Sequence, residues 1–157
     1  MAKKQKYYFF LGLFLTFILL SFSVFLTSNA GTINFDSPVG QWITIDPHTK
    51  KPSGIVEIAE RQGNLYGKII EGFNVDPLKF CINCPGELKN KPVVGLTFLW
   101  GFSPDGKNSW KNGTILNPHD GAVYRGSIIL SDHGKKLLLR GYWGLFFQTE
   151  TWMRKGV

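Results

Sequence analysis

The sequence predicts an all-β protein, in which a single small barrel of eight antiparallel strands, connected as a meander, follows an N-terminal signal helix. Three observations predict this fold. Gly, aromatic and β-branched residues are abundant, which is a composition typical of strands. Turn residues interrupt the runs of strand formers roughly every 8–12 positions, a spacing typical of sandwiches and barrels. No segment after Ala30 shows a sustained helical period.

The first 30 residues have the three parts of a secretory signal peptide. Three lysines in the first six residues give a positive start, residues 7–26 carry no charge, and small residues precede the Ala30–Gly31 junction, where we expect cleavage. The alternative is an uncleaved membrane anchor, because roughly 20 apolar residues can span a bilayer. We therefore expect an exported protein, periplasmic or secreted, with a membrane-anchored form as the alternative. Membrane contact is expected only through this segment, if it stays uncleaved.

The remaining residues, 31–157, suffice for one domain. Loss of the three leading lysines lowers the formal net charge from +7 to about +4, and the charges that remain are interspersed. Nucleic-acid-binding domains carry a basic stripe or patch. We therefore expect no nucleic-acid partner.

Turn residues mark the ends of the predicted strands. A first strand over 40–46 ends in an Asp-Pro-His-Thr turn, and a second over 55–61 is joined to a third over 65–71 by the hairpin signal Gln-Gly-Asn. A long connection, about 72–92, holds both cysteines and three prolines. Turn sequences then separate the last five strands, predicted over 95–102, 110–116, 123–130, 136–142 and 147–154. Eight such strands can close into a barrel that holds side chains or one small ligand. A two-sheet sandwich is the alternative.

The two ends of this pattern carry a resemblance to a known fold. Gly40-Gln41-Trp42 opens the first strand, and Thr151-Trp152-Met153-Arg154 closes the last. This arrangement resembles the lipocalins, in which the indole of a Gly-x-Trp closes one end of the barrel and an arginine of the final strand stacks across it. The resemblance implies that Trp42 and Arg154 form the barrel-closing pair.

A second resemblance covers nearly the whole chain after residue 30. It rests on an ordered series of short motifs: Leu65-Tyr66-Gly67-Lys68-Ile69, Lys91-Pro92-Val93-Val94-Gly95, Trp100-Gly101-Phe102, Trp110-Lys111-Asn112-Gly113-Thr114-Ile115 and Leu139-Arg140-Gly141-Tyr142. The chain resembles the exported bacterial family known as domain of unknown function 2147. That resemblance implies a lipocalin-like barrel and implies no enzymatic activity and no particular ligand.

Cys81-Ile82-Asn83-Cys84 is the one motif that could carry chemistry by itself. Outside the cytoplasm a Cys-x-x-Cys can be a structural disulfide, a redox pair or half of a metal site. A redox pair usually precedes a helix, whose N-terminus stabilises the thiolate, and here Pro85-Gly86 follows instead. We predict a disulfide that restrains the long connection, with thiol-disulfide exchange as a weaker alternative.

Other catalytic or metal-binding patterns are not recognisable. The three histidines, His48, His119 and His133, fall in three separate turns without ligand spacing. Five of the six aspartates fall in turns or loops, where their side chains commonly bond to the backbone; these five are Asp46, Asp76, Asp105, Asp120 and Asp132. We expect no metal, no cofactor and no enzymatic activity.

Alternation in the final strand predicts an unusual barrel wall. If Trp152 and Arg154 point inward, Glu150 does so too, and such a wall suits a ligand with one polar group in an apolar pocket. The alternative is that Glu150 faces water and that Trp152 packs on the surface. The candidate ligand-lining residues are Trp100, Tyr124, Tyr142, Glu150 and Trp152.

Two functional hypotheses remain open. The first is a binding protein that holds a small apolar or amphipathic molecule in its barrel. The second is an interaction or structural protein with a filled barrel, whose partner surface for another envelope protein is formed by the long connection and by the last turn. The candidate partner-surface residues in that turn are Trp143, Phe146 and Phe147, because exposed apolar side chains mark contact sites.

Overall fold

The computed structural model describes residues 34–73 and 79–157. The predicted signal segment, including the Ala30–Gly31 junction, lies outside the described residues. Among those described, no helix is both long enough and apolar enough to cross a membrane.

Eight antiparallel strands form a closed barrel in the order of the sequence. They are β1 (Gly40–Ile45), β2 (Pro52–Arg61), β3 (Asn64–Gly72), β4 (Thr97–Pro104), β5 (Ser109–Leu116), β6 (Val123–Ser131), β7 (Lys136–Trp143) and β8 (Phe146–Arg154). Each strand pairs with the next, and β1 also pairs with β8, which closes the barrel. The predicted fold and all eight strands are confirmed, and closure excludes the two-sheet sandwich.

Turn chemistry sets the strand boundaries. Gln62 and Gly63 both have positive φ, 52° and 77°, and they form the two-residue hairpin between β2 and β3. Asp46 accepts main-chain hydrogen bonds from His48 and Thr49 and so folds the β1–β2 turn. The Asx turn at Asn117, whose side chain accepts from the His119 N–H, does the same between β5 and β6.

The connections of an up-and-down barrel alternate between its two ends. At one end lie the β2–β3, β4–β5 and β6–β7 turns together with residues 34–39, and we call this the closed end. At the other end lie the β1–β2, β3–β4, β5–β6 and β7–β8 connections, and we call this the open end.

Large apolar side chains fill the half of the barrel near the closed end. Phe102, fully buried, lies against two strand glycines, Gly113 and Gly126. A Cβ atom at Gly113 would lie 2.2 Å from the Phe102 ring, so only glycine leaves room for that ring. The other fully buried large side chains of this half are Trp42, Ile58, Leu65, Ile128 and Leu137. Each such burial stabilises the fold by roughly 1.5–3 kcal/mol.

Candidate functional site: a barrel cavity closed at one end

The closed end is sealed by Trp42 and Arg154. These residues are paired in the β1–β8 register, and the Arg154 guanidinium carbon lies 4.3 Å from the centroid of the Trp42 ring. The Trp42 indole N–H donates to the Pro38 carbonyl at 2.8 Å, and the indole is fully buried. The Arg154 guanidinium carbon also lies 5.7 Å from the ring centroid of Phe35.

The guanidinium of Arg154 is hydrogen-bonded to three main-chain carbonyls. It donates to the carbonyls of Gly134 at 2.7 Å, Ser37 at 2.6 Å and Val39 at 3.3 Å. Burial lowers the pKa of Arg154 from its ordinary value, and only 5% of its surface is exposed. Arg154 therefore holds the N-terminal segment and the β6–β7 turn against the barrel, and it does not face the cavity described next.

The half of the barrel near the open end is hollow. It holds a cavity of about 710 Å³, within the usual range for small-molecule sites. Most of its wall is apolar, from Ile55, Val56, Ile69, Phe98, Ile115, Leu116, Leu139 and Trp152. Residues of all four open-end connections or of the strand ends beside them form its mouth, among them Pro47, Val93, Val94, Pro118 and Trp143. The barrel is thus a cup with a sealed base and an apolar interior.

Glu150 brings a carboxyl group into this apolar wall. Its Oε2 accepts a hydrogen bond from the Trp152 indole N–H at 3.2 Å. Burial raises the pKa of Glu150; the hydrogen bond from Trp152 opposes that rise, and the negative charge of Asp46 adds to it. The hydrogen bond from Trp152 therefore makes up for only part of the hydration that an ionised Glu150 loses on burial.

The inward face of β8 follows the predicted alternation. Gln148, Glu150 and Trp152 all line the cavity, and Trp152 lies beneath Glu150, with its ring centroid 6.2 Å from that of Phe98. Tyr124 of β6 also lines the cavity. Glu150 is partly buried and faces the cavity, and Trp152 is buried inside the barrel.

The predicted lining role is wrong for Trp100 and Tyr142, because neither borders the cavity. A register irregularity in β4, opposite Gly67, turns both Phe98 and Leu99 inward, so that Trp100 takes the opposite face. Tyr142 lies between the cavity-lining residues Gly141 and Trp143, and strand alternation therefore places it on the outer face, where its hydroxyl is 3.1 Å from Ser127 Oγ.

The β7–β8 tip, residues 143–147, exposes a group of apolar side chains at the open end. Leu145 is 99% exposed and Phe146 is 69% exposed. Trp143 belongs both to this exposed tip and to the cavity wall. Its ring packs edge-on against Tyr124, with 6.3 Å between the ring centroids. Phe147 lies under the Arg140 guanidinium at 4.5 Å on the outer face. That this tip binds an envelope protein stays a prediction.

Cys81 and Cys84 form a disulfide in the β3–β4 connection. Both are almost fully buried. The segment around them is bonded into a compact hairpin: Cys81 N–H donates to the Lys91 carbonyl, and Val93 N–H donates to the Lys79 carbonyl. It also packs on the β5–β6 turn, because a Cβ at Gly121 would meet the Asn83 carbonyl. The disulfide therefore restrains the segment that carries Val93 and Val94 to the mouth.

The histidines do not come together. His48 and His119 lie in two different connections at the open end, and His133 lies at the closed end. Within residues 34–73 and 79–157, no group of three or more His, Cys, Asp or Glu side chains is placed to hold a metal ion.

Sequence reasoning missed part of the cavity wall. Val93 and Val94 fall between the predicted connection and the predicted fourth strand, and neither they nor Asp46 and Glu71 are among the predicted lining residues, yet all four line the cavity. Glycines inside strands are the sequence feature that could have indicated the cavity. Gly141 lines the cavity, and a Cβ there would make only ordinary contacts, 3.6 Å to Ile115, so this glycine leaves space that no side chain fills.

A closed eight-stranded barrel with a Trp–Arg seal at one end and a cavity at the other defines a lipocalin-like protein. The chain belongs to the family described as "Uncharacterized protein conserved in bacteria (DUF2147)", whose pattern it matches over residues 40–154. It is also similar in structure to protein HP1028 from the human pathogen Helicobacter pylori, which belongs to the lipocalin family. The TM-score is 0.66 with 28% identity, covering 75% of this chain and 82% of that protein. Among curated proteins, none matches the sequence.

Proposed function

We propose that the protein binds a small apolar or amphipathic molecule in the barrel cavity. One observation carries this proposal: the half of the barrel near the open end holds about 710 Å³ of space with a mainly apolar wall, while large buried side chains occupy the other half. A barrel that needed only stability would gain from filling this space, because empty apolar volume destabilises a core. The lipocalin-like fold supports the same function.

Binding rather than catalysis fits the chemistry of the described residues. The one motif that could react, Cys81–Cys84, is a buried disulfide. Exchange requires a thiolate to reach a disulfide sulfur, and burial opposes that approach. Reduction of insulin by the purified protein at no more than the background rate is the expected result, and a rate that is lost on Cys81→Ser would support an oxidoreductase instead.

The cavity is tested by filling it. A neutral apolar dye, N-phenyl-1-naphthylamine, should bind the wild type with saturable fluorescence. Gly141→Phe places a ring in the cavity and should abolish this signal, as should Leu139→Trp, which enlarges an inward side chain of the same strand. Leu138→Phe, on the outer face of β7, is the matched control and should keep the signal. Cooperative unfolding of each variant checks its fold.

Two outcomes would overturn the proposal. One is the absence of saturable dye binding by the wild type. The other is binding by folded Gly141→Phe and Leu139→Trp proteins that equals binding by the wild type.

We further propose that this binding takes place outside the cytoplasm, on the strength of the charge and small-residue pattern of residues 1–31. N-terminal sequencing of the protein from the periplasmic or secreted fraction should begin at Gly31. An intact N-terminus in the membrane fraction would support the anchored alternative, and an intact N-terminus in the cytoplasm would contradict export.

A further inference from the structure

The charged groups of the cavity wall all have the same sign. Asp46, Glu71 and Glu150 line the cavity, and no Lys, Arg or His is among the described residues that do so. Among the described residues, the charged side chains that line the cavity are therefore all carboxylates.

The three carboxylates differ in position. Asp46, at the end of β1, accepts from the N–H groups of Thr49 and His48, and the bond from Thr49 is the main cause that lowers its pKa. Glu71 is exposed near the end of β3. Both therefore lie toward the mouth. Glu150 lies deeper, opposite Leu139 and four residues before Arg154 at the sealed base, which corresponds to roughly 13 Å along a strand.

Glu150 is partly buried in the cavity wall, and its Oε1 is left to solvent in the cavity, since no buried side-chain oxygen of the described residues lacks a partner. Within the described part of the chain, its carboxyl group accepts one hydrogen bond, from Trp152 to Oε2. An ionised carboxylate has about four acceptor sites, and a partly buried one is stable only when it is paired or bonded. A ligand that donates hydrogen bonds and carries positive charge would replace the water at Oε1 and offset the hydration that Glu150 loses by its partial burial.

The one buried arginine of the described chain is not available for an anionic ligand. Arg154 lies at the sealed base, where three main-chain carbonyls and the Trp42 ring occupy its guanidinium. A fatty-acid carboxylate in the cavity would thus face three like charges without a partner. Such like-charge contacts are a physical means of rejecting the wrong ligand.

We infer that the cavity selects an amphipathic molecule with a cationic ammonium group, which Glu150 binds while the apolar part of the molecule packs against Phe98, Ile115 and Leu139. This inference rests on the proposed binding function. It deepens that function by naming the class of ligand. The mouth carboxylates of Asp46 and Glu71 attract the same charge and raise its local concentration.

Three probes that differ only in their polar group test the inference. Decylamine, decanol and decanoate share one alkyl chain and are cationic, neutral and anionic at neutral pH. Each is used below its micellar concentration to displace the neutral dye, and decylamine binding is also measured directly by calorimetry. We expect decylamine to bind at least about tenfold more tightly than decanol, and decanoate to bind most weakly. A tenfold ratio corresponds to about 1.4 kcal/mol.

Glu150→Gln should reduce the ratio of decylamine to decanol affinity toward one, because the amide keeps an acceptor for Trp152 and loses the charge. Glu57→Gln is the matched control, since Glu57 is exposed on β2 and does not border the cavity. It should leave the ratio unchanged.

The outcomes separate the two proposals. If the dye binds and is displaced most strongly by decanoate, the ligand class is wrong while the binding function stands. If decylamine keeps its full advantage in a folded Glu150→Gln protein, the role of Glu150 is wrong. If neither the dye nor decylamine binds in any measurement, both proposals fail.

Discussion

The guanidinium carbon of Arg154 lies 4.3 Å from the ring centroid of Trp42, across the seam where the last strand pairs with the first. The same guanidinium donates to the carbonyls of residues 37 and 39 on one side and of residue 134 on the other. One side chain thus joins the N-terminal segment, the β6–β7 turn and the barrel seam. The planar fork of arginine suits this arrangement, whereas a lysine would offer a single point charge.

Arg154→Met should lower the free energy of unfolding by about 3 kcal/mol, because it leaves buried carbonyls without donors and removes the stacking on Trp42. Chemical denaturation followed by tryptophan fluorescence measures this loss. Arg125→Met, at an exposed position of β6, is the control and should change the value by less than about 0.5 kcal/mol. Equal losses in the two variants would show that Arg154 is not a structural tie.

Gly113→Ala should destabilise the barrel by about 1–3 kcal/mol, because the added methyl group overlaps the buried ring of Phe102. Gly141→Ala makes only ordinary contacts and should leave the stability unchanged or slightly higher. Thermal unfolding of the pair checks this contrast. A Gly113→Ala protein as stable as the wild type would mean that Phe102 has room to move.

Glu150 should make stability depend on pH in a defined direction. Burial raises its pKa in the folded state, so between the unfolded and folded pKa values the folded protein binds more protons. The contribution of Glu150 to the free energy of unfolding therefore falls as pH rises through that window. Asp46, Glu71 and Tyr124 face the same cavity from the β1–β2 turn, β3 and β6, and the negative charge of Asp46 adds to the rise in the pKa of Glu150.

Glu150→Gln should remove this decrease in the free energy of unfolding with rising pH. The variant should be more stable than the wild type above the window and similar to it below. Urea denaturation from about pH 4 to pH 8, with Glu57→Gln as the exposed control, measures the difference. A stability difference between Glu150→Gln and wild type that does not change with pH would contradict the prediction.

Replacing both Cys81 and Cys84 by serine should cost about 2 kcal/mol, because the short loop closed by the disulfide loses its restraint in the unfolded chain. It should also weaken dye binding, since the same segment holds Val93 and Val94 at the mouth. Both sulfurs are buried, so a mild reductant should act on the native protein slowly and faster in denaturant. Thiol labelling over time measures this. Immediate reduction of the native protein would indicate an accessible, exchangeable bond.

The fold was predictable because each turn carries its own chemistry. Gln62-Gly63 and Asp46 specify connections locally, and alternation then assigns faces to residues such as Glu150 and Trp152. The cavity was less predictable, for two physical reasons. The irregularity in β4 reverses the face of Trp100 relative to simple alternation, and Val93 and Val94 reach the mouth from a connection that has no periodic pattern. The hydrogen bonds of Arg154 could not be predicted either, because they depend on residues 37, 39 and 134 coming together in the folded barrel.

The β1–β8 seam has a consequence for the order of folding. β1 ends at Ile45 and its second partner β8 begins at Phe146, so about 100 residues must be synthesised between the two. β1 therefore keeps one edge unpaired until β8, near the end of the chain, has also reached the compartment where the protein folds. Contacts this distant in sequence slow folding, and an open edge invites pairing with other chains. Chains that lack β8 are therefore the species that should depend most on chaperones.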